Sequence, residues 1–285
     1  MTVIVADCGS TKSDWRIIRH GSEPLSFRGP GINPSLESAD KAAGKFSFLK
    51  DAVSPEENVE LHYYGAGIVS GKEKDFVREC LGNMLSLASC EVCSDMTGAA
   101  RALFGDGEGM AAIIGTGSNS SFCRGGVPVL SVPSGGFILG DEGSGAWIGK
   151  MLVSDYIKSV MPEDVRREFS AVCPYDYREI VREVYASGSP SRFLASFAVF
   201  AGRFKEHPYV SRILEDGFEL FFTRNLMQYG CIRCFPVRMT GSVAWNFSDM
   251  IKEVAAAHGA EVDVILPSPI DALADYHSKK REGYV

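Results

Sequence analysis

The sequence predicts an α/β protein built as two lobes of related design with a cleft between them. Two observations carry this. The stretch "VADCGSTKSDW" at residues 5–15 is an apolar strand running into a carboxylate and a turn of Gly, Ser, Thr and Lys, and a similar stretch, "IIGTGSNSSF", returns at residue 113. An offset of 108 residues places Gly117-Ser118 on Gly9-Ser10, with an apolar strand before each. Weak internal similarity of this kind is what a duplicated fold leaves behind. The second observation is length. At 285 residues, with 45% apolar and 23% charged residues, the chain can fill two ordinary cores.

The elements follow in order. "TVIVAD" is a short β-branched run, read as a buried strand, and "SDWRIIR" is its hairpin partner, closed by His20-Gly21. "EPLSFRG" makes a third strand. "GPGINPS" is a loop, with Ser35 as N-cap of a helix over 36–49. "NVELHYYGAG" gives a fourth strand, "GKEKDFVRECLGNML" a helix, "SCEVCSD" a buried fifth strand, and residues 97–104 a helix. "MAAIIGTGSNSSFCRGG" and "VPVLSV" restart the strand pattern. Residues 142–236 read as mainly helical, including "EGSGAWIGKMLVSDYIKSV", "YREIVREVYA", "SRFLASFAVFAGRF" and "SRILEDGFELFFTRNLMQ". "FPVRMTGSVAWNF" is a strand, a Gly-Ser turn and a helix with Val243, Phe247, Met250, Ile251 and Val254 on one face, stopped by Gly259. "EVDVILPSP" is the last strand and "IDALADYHSKK" a closing helix. The domain expectation is residues 1–110 with 270–285 in one lobe and 111–269 in the other.

Net charge is −7, which disfavours a nucleic-acid backbone as partner. The apolar "FLASFAVFAG" is too short to span a bilayer, and "MTVIVADCG" has no basic leader pattern, so the expectation is a soluble cytoplasmic protein. Eight cysteines include Cys90-x-x-Cys93 and Cys231-x-x-Cys234. On spacing these form a zinc pattern. A strand points residues three apart to opposite faces, so the favoured reading is reduced, mostly buried thiols.

The glycine turns define the chemistry. Glycine lets backbone approach a ligand closely, and exposed N–H groups and hydroxyls then donate to phosphate oxygens. Gly9, Ser10, Thr11 and Lys12 supply this in one lobe, and Thr116, Gly117 and Ser118 in the other. Asp7 would repel phosphate directly, which calls for an intervening Mg²⁺. The G-x-x-x-x-G-K-[ST] loop is absent, and "GAGIVSG" at 65–71 misses the dinucleotide spacing. A third Gly-Ser turn appears in "TGSVAW".

Taken together, "DCGSTKSDW", "GTGSN", "GGFILGDEGSGAWIG" and "TGSVAWNF" resemble the BadF/BadG/BcrA/BcrD-type ATPases, and within them the N-acetylglucosamine kinases of the actin/hexokinase/Hsp70 superfamily. The resemblance spans nearly the whole chain. It implies a two-lobed actin-like ATPase fold, ribonuclease H-like and duplicated, with an interlobe cleft holding ATP and Mg²⁺. By position it implies that Asp7 holds the metal through water. It assigns Gly9, Ser10, Thr11, Lys12, Thr116 and Gly117 to the phosphates, and Gly241, Ser242 and Val243 to the adenosine side. Asn33, Asn119, Gly135, Gly136 and Asp141 fall on the sugar, and Asp95 on the general base. The implied reaction is phosphoryl transfer from ATP to a sugar hydroxyl, the 6-OH of N-acetylglucosamine or a related amino sugar, in an enzyme that is commonly dimeric.

The chain departs from those kinases in one motif. Where they tend to carry Gly-Trp-Gly before "GDEGS", it has Ser134-Gly135-Gly136. Two simpler readings stand beside the implied roles: Asp95 as a helix N-cap, and Asp141-Glu142 as acids at a helix N-terminus. Trp147 reads as core. Alternatives in function are an ATPase that activates a partner enzyme through an iron–sulfur cluster, for which Cys123 and Cys173 make no clear ligand pair, and a catalytically inactive binding module.

Overall fold

A computed structural model describes residues 1–32, 34, 37–230 and 232–281. The chain divides into two compact units. The first comprises Met1–Gly107, Gly125–Val127 and Ser268–Val285, and the second Glu108–Arg124 and Pro128–Pro267.

In the first unit the order is β1 (Thr2–Cys8), β2 (Lys12–Ile18), β3 (Leu25–Pro30), α1 (Ala39–Lys45), α2 (Phe48–Ala52), β4 (Val59–Gly65), α3 (Gly71–Gly82), β5 (Leu87–Ser94) and α4 (Asp95–Phe104). The second unit carries β6 (Glu108–Ile114), β7 (Ser118–Arg124), β8 (Val127–Val132), α5 (Gly136–Leu139), α6 (Gly145–Ile157), α7 (Glu163–Val172), α8 (Tyr177–Tyr185), α9 (Pro190–Ser196), α10 (Ala198–Arg203) and α11 (Pro208–Arg224). After a 3-10 turn at Leu226–Tyr229 come β9 (Val237–Thr240), α12 (Ser242–Asn246), α13 (Ser248–Ala257) and β10 (Val262–Leu266). The last helix, α14 (Ile270–Arg281), belongs to the first unit.

The duplication is explicit in the sheets. One has the order β3-β2-β1-β4-β5, and the other, read in the same sense, β8-β7-β6-β9-β10. In the first sheet β1–β2 and β2–β3 pair antiparallel and β1–β4 and β4–β5 parallel. In the second, β6–β7 pair antiparallel and β6–β9 and β9–β10 parallel. The central strands β1 and β6 are almost wholly buried, as their β-branched and alanine-rich sequences require. In such sheets ligands collect beyond the carboxyl ends of the parallel strands. Those ends carry Asp7, Asp95, Gly115 and Gly241.

Several local readings need correction. The helix expected over 36–49 is two short helices broken at Phe46-Ser47, because Phe46 and Leu49 both turn into the core. Its expected cap, Ser35, lies outside the described residues. The segment "SRFLASFAVFAGRF" likewise breaks at Phe197, and "SVAWNFSDMIKEVAA" at Phe247, each of which is buried. Strand β5 is not buried but is a sheet edge, covered fully only at Val92. Its thiols Cys90 and Cys93 are therefore only partly buried, and Cys234 is exposed. Cys8, Cys80, Cys123 and Cys173 are buried, and Cys231 lies outside the described residues. The structure also adds α5, which no sequence element anticipated, and places α7 within the stretch read as mainly helical.

Trp15 anchors the first core. It is fully buried, with edge-on contacts to Phe46 at 5.2 Å, Phe48 at 5.6 Å and Tyr63 at 6.2 Å between ring centroids. It thereby joins β2 to α1, α2 and β4. Trp147 is buried in the core of the second unit, in agreement with its reading as core. We expect Trp15→Ala to destabilise the first unit by about 3–5 kcal/mol, seen as a lowered urea midpoint for β1 and β2 amide protection, with Trp15→Phe losing much less.

Candidate functional site

The first unit presents an acidic strand end. Asp7, at the tip of β1, pairs directly opposite Asp14 on β2. Like charges so placed repel, and Asp14 is offset by Arg28 Nε at 2.8 Å and Lys12 Nζ at 3.4 Å. Burial pushes the Asp7 carboxyl up to about 7, helped by the charges of Asp95 and Asp14 and opposed by Lys12. Asp95 is the first residue of α4. Burial lifts its carboxyl to about 6, although it accepts the Met96 N–H at 2.8 Å. The cap of α4 is Ser94, whose hydroxyl accepts the Thr97 N–H at 3.3 Å. The capping role offered for Asp95 is thus already filled by its neighbour.

The chemistry of this donor set fits Mg²⁺. A buried carboxyl whose proton affinity is raised by neighbouring acids suits a hard divalent ion. Asp7 would hold such an ion through water.

The first glycine turn, Gly9–Thr11, is packed by the next loop. The Gly31 N–H donates to Thr11 O at 3.0 Å, and a Cβ on Gly31 would lie 2.3 Å from Gly9 O. Lys45 Nζ holds the Gly31 carbonyl at 2.7 Å. Sequence reading missed Gly31 as part of this turn, although "GPG" hinted at close approach. Asn33, two residues on, lies outside the described residues.

The second unit is tied together around the turn after β6. Gly145 N–H donates to Gly115 O at 2.8 Å and Ala146 N–H to Thr116 O at 2.9 Å, so the start of α6 is fastened to the turn. Gly241, at φ 119°, approaches the same turn from β9, and a Cβ there would lie 2.4 Å from Ile114 O. Only glycine fits.

These pieces line one cavity of about 440 Å³, within the range of small-ligand pockets. Gly115, Thr116 and Gly145 form one wall, and Ser242, Val243, Asn246 and Phe247 of the α12 region another. Ala195, Ala198, Val199, Gly202, Arg203 and Lys205 complete it from α9, α10 and the residues after them. The structure therefore brings together Thr116, Ser242 and Val243, which the sequence assigned to one ligand. It adds the α9–α10 residues, Asn246 and Phe247, which the sequence did not single out. The only signal for them was the run of small residues in "LASFAVFAG". Among the described residues of the lining, Arg203 and Lys205 carry the charge.

On the other side of the turn lies Asp141. It is buried and left-handed at φ 51°, a conformation costing a non-glycine residue about 1 kcal/mol. Its Oδ1 accepts the Ser118 N–H at 3.2 Å, and a Cβ on Gly117 would lie 2.9 Å from its Oδ2. Burial raises its carboxyl to about 6; the Ser118 bond opposes the rise and the Glu142 charge adds to it. The cap of α6 is Ser144, accepting from Trp147 N at 3.2 Å, so neither Asp141 nor Glu142 serves as a cap. Part of the glycine richness around them is structural. Gly143 packs on Gly217, and a Cβ on Gly149 would lie 1.8 Å from Leu194 O, where α6 crosses α9. Gly135 and Gly136, at φ 73° and 66°, begin the loop that closes when Asp141 N–H donates to Ser134 O at 3.1 Å. Asn119 is partly buried on β7, its Oδ1 accepting from Ser120 N at 2.9 Å.

Among the described residues, the group of His, Cys, Asp and Glu side chains close enough to share a metal is His62, Glu91 and His277. It contains neither CxxC pair. Arg101 already occupies both oxygens of Glu91 at 2.8 Å, and the two imidazoles stack at 3.6 Å, which suits a structural lock on α14 better than a metal.

The chain is similar to solved structures along nearly its whole length. A provisionally named N-acetylglucosamine kinase of Porphyromonas gingivalis shares 32% identity at TM-score 0.88, covering 98% of this chain and 99% of that one. A second provisionally named N-acetylglucosamine kinase, from Chromobacterium violaceum, shares 16% at TM-score 0.73, with 96% and 98% covered. A ROK-family glucokinase from Streptomyces griseus, solved with glucose and AMPPNP, shares 14% at TM-score 0.58, with 96% and 98% covered. The latter two speak for fold alone. No family model and no curated protein matches the chain. The architecture is the two-lobed actin-like ATPase fold. Among the described residues no helix is long and apolar enough to cross a membrane.

Two substitutions test this geometry. Gly241→Ala should loosen the turn after β6, read as faster amide exchange in peptides containing residues 114–118, because its Cβ cannot coexist with Ile114 O. Gly31→Ala should displace the first turn and speed amide exchange at residues 9–12, while leaving exchange at residues 114–118 within about two-fold.

Proposed function

This chain belongs to the BadF/BadG/BcrA/BcrD-type ATPases, and on that premise we propose that it is an ATP-dependent sugar kinase acting on an amino sugar, with N-acetylglucosamine the first candidate. The observation that carries the nucleotide half is the 440 Å³ cavity, where the turn after β6 and the turn after β9 meet with Arg203 and Lys205 at its wall. The kinase half rests on Asp95, a carboxyl at a strand end whose raised proton affinity suits a general base near neutral pH.

In this reading the cavity holds the nucleoside, and the amides of Gly115–Gly117 and Gly9–Thr11 serve the phosphates. Bound Mg²⁺ would neutralise phosphate charge, held by Asp7 through water. Asp141 and Asn119 accept and donate to sugar hydroxyls, with Asn33 and the Gly135-Gly136 loop assigned to the same substrate. Asp95 takes the proton from the attacking hydroxyl, the γ-phosphoryl group passes to that oxygen, and ADP leaves. Most of the catalysis is positioning and charge stabilisation. General-base assistance adds roughly 10²–10⁴-fold.

Cys123 and Cys173 are both buried, Cys123 with its Sγ on Gly109 O at 3.2 Å, which does not favour a cluster-bearing activator.

The test is ADP release from ATP and Mg²⁺ across N-acetylglucosamine, glucosamine, glucose and N-acetylmannosamine. Sugar-dependent ADP release with one of them is expected; ATP hydrolysis indifferent to every sugar would contradict the proposal. Asp95→Asn should lower kcat by roughly 10²–10⁴-fold with ATP affinity nearly unchanged. Because the base must be ionised, and burial holds its carboxyl up near 6, kcat/KM should climb with pH through about 6 and then level. A flat profile between about pH 5 and 8 would exclude Asp95 from proton transfer.

A further inference from the structure

Glu142 has a role that neither the nucleotide cavity nor the proposed phosphoryl transfer requires of it. Its carboxylate is buried, yet the groups that hold it are distant in sequence. Arg224 Nη1 donates to Oε1 at 3.2 Å and Asn225 Nδ2 to Oε2 at 3.4 Å. Arg224 is the last residue of α11 and Asn225 the buried residue that follows. The backbone of Glu142 is fastened too, its carbonyl accepting the Ser118 hydroxyl at 2.9 Å. One residue therefore joins the end of α11 to the first residue of β7.

The neighbour of this clamp is Asp141. A left-handed aspartate persists only where its surroundings over-determine it. Three bonds reach its own backbone and side chain: its N–H to Ser134 O, its carbonyl from Ser144 N–H at 3.1 Å, and its Oδ1 from Ser118 N–H. The first two lie within the same loop and move with it. The Ser118 contact is the one that refers Asp141 to the sheet, and Glu142 grips that same Ser118 through its hydroxyl. The Arg224 side chain is 63% exposed, so the ion pair contributes little to global stability and its value lies in placement.

We propose that Glu142, gripped by Arg224 and Asn225, is a positioning residue that holds the Asp141 carboxyl against Ser118 and so sets affinity for the hydroxyl-bearing substrate without altering affinity for the nucleotide. The substrate half of this statement rests on the proposed sugar-kinase reading. The positioning half does not.

The experiment pairs two readouts on Glu142→Ala, Glu142→Gln and Arg224→Ala. Hydrogen exchange at the Ser118 amide reports the Asp141 contact without any turnover. Steady-state kinetics report KM for the sugar and for ATP separately. Glu142→Ala should lose about 10-fold or more of Ser118 protection and raise sugar KM by about 10-fold, with ATP KM within about two-fold. Glu142→Gln, which keeps an acceptor for Arg224 or Asn225, should recover part of both effects. Adding Glu142→Ala to Asp141→Asn should raise sugar KM little further, because the clamp acts through Asp141. Arg224→Ala changes an exposed side chain and serves if the Glu142 variants do not fold; it should move both readouts in the same direction. Unchanged Ser118 exchange, or sugar and ATP KM rising in parallel, overturns the proposal. Should the wild-type protein phosphorylate none of the sugars while Ser118 exchange still responds, the kinase reading fails and the clamp on Asp141 stands.

Discussion

The turn between β6 and β7 is the constraint on which the rest of the second unit depends. Its backbone is gripped from three directions, with no room for a Cβ at Gly117 or at Gly241 beside it. The N–H groups opening α6 bond to Gly115 and Thr116, Gly241 presses within a missing Cβ of Ile114, and Asp141 takes the amide of Ser118. Each contact fixes one wall of a site. The α6 and α12 contacts fix the cavity, and the Asp141 contact fixes a buried carboxyl on the other side. A turn held so firmly can present its remaining amides to an anion without reorganising, which is where preorganised sites gain their strength.

The first unit solves a different problem with the same sheet. Where the second unit has Gly115 just after β6, the first has Asp7 next to the end of β1, opposite Asp14 and within the influence of Asp95. Burial and the neighbouring charges of Asp95 and Asp14 raise the proton affinity of Asp7, while Arg28 and Lys12 pair with Asp14. Such an imbalance is costly in isolation and useful beside a cation or a reacting proton. The duplicated topology thus separates into one half that holds backbone amides toward a ligand and one that gathers acids.

The sequence made the strands, the first hairpin and the glycine turns readable, because these depend on local chemistry: β-branched runs, Gly-Ser turns and a repeat that preserved register. It did not reveal where helices break. Phe46, Phe197 and Phe247 interrupt otherwise continuous helical periods because each is drawn into a core whose shape no single segment encodes. The cavity wall from α9 and α10 was illegible for a related reason, since small residues such as Ala195 and Gly202 carry no chemistry until packing brings them to the turn. The capping roles offered for Asp95 and Asp141 fell to Ser94 and Ser144, each the residue immediately before its helix. That displacement leaves two buried acids whose placement structure alone does not demand. Gly31 went unnoticed, and Glu142 was read only as an acid at a helix N-terminus, because their importance lies in partners distant along the chain.

The central claim is that the second unit's cavity, framed by the turns after β6 and β9, receives the nucleotide. Its most direct measurement is amide exchange by mass spectrometry with and without saturating AMPPNP and Mg²⁺. The account predicts slowed exchange in peptides containing residues 115–118 and 242–247. Binding without protection of either segment would contradict it.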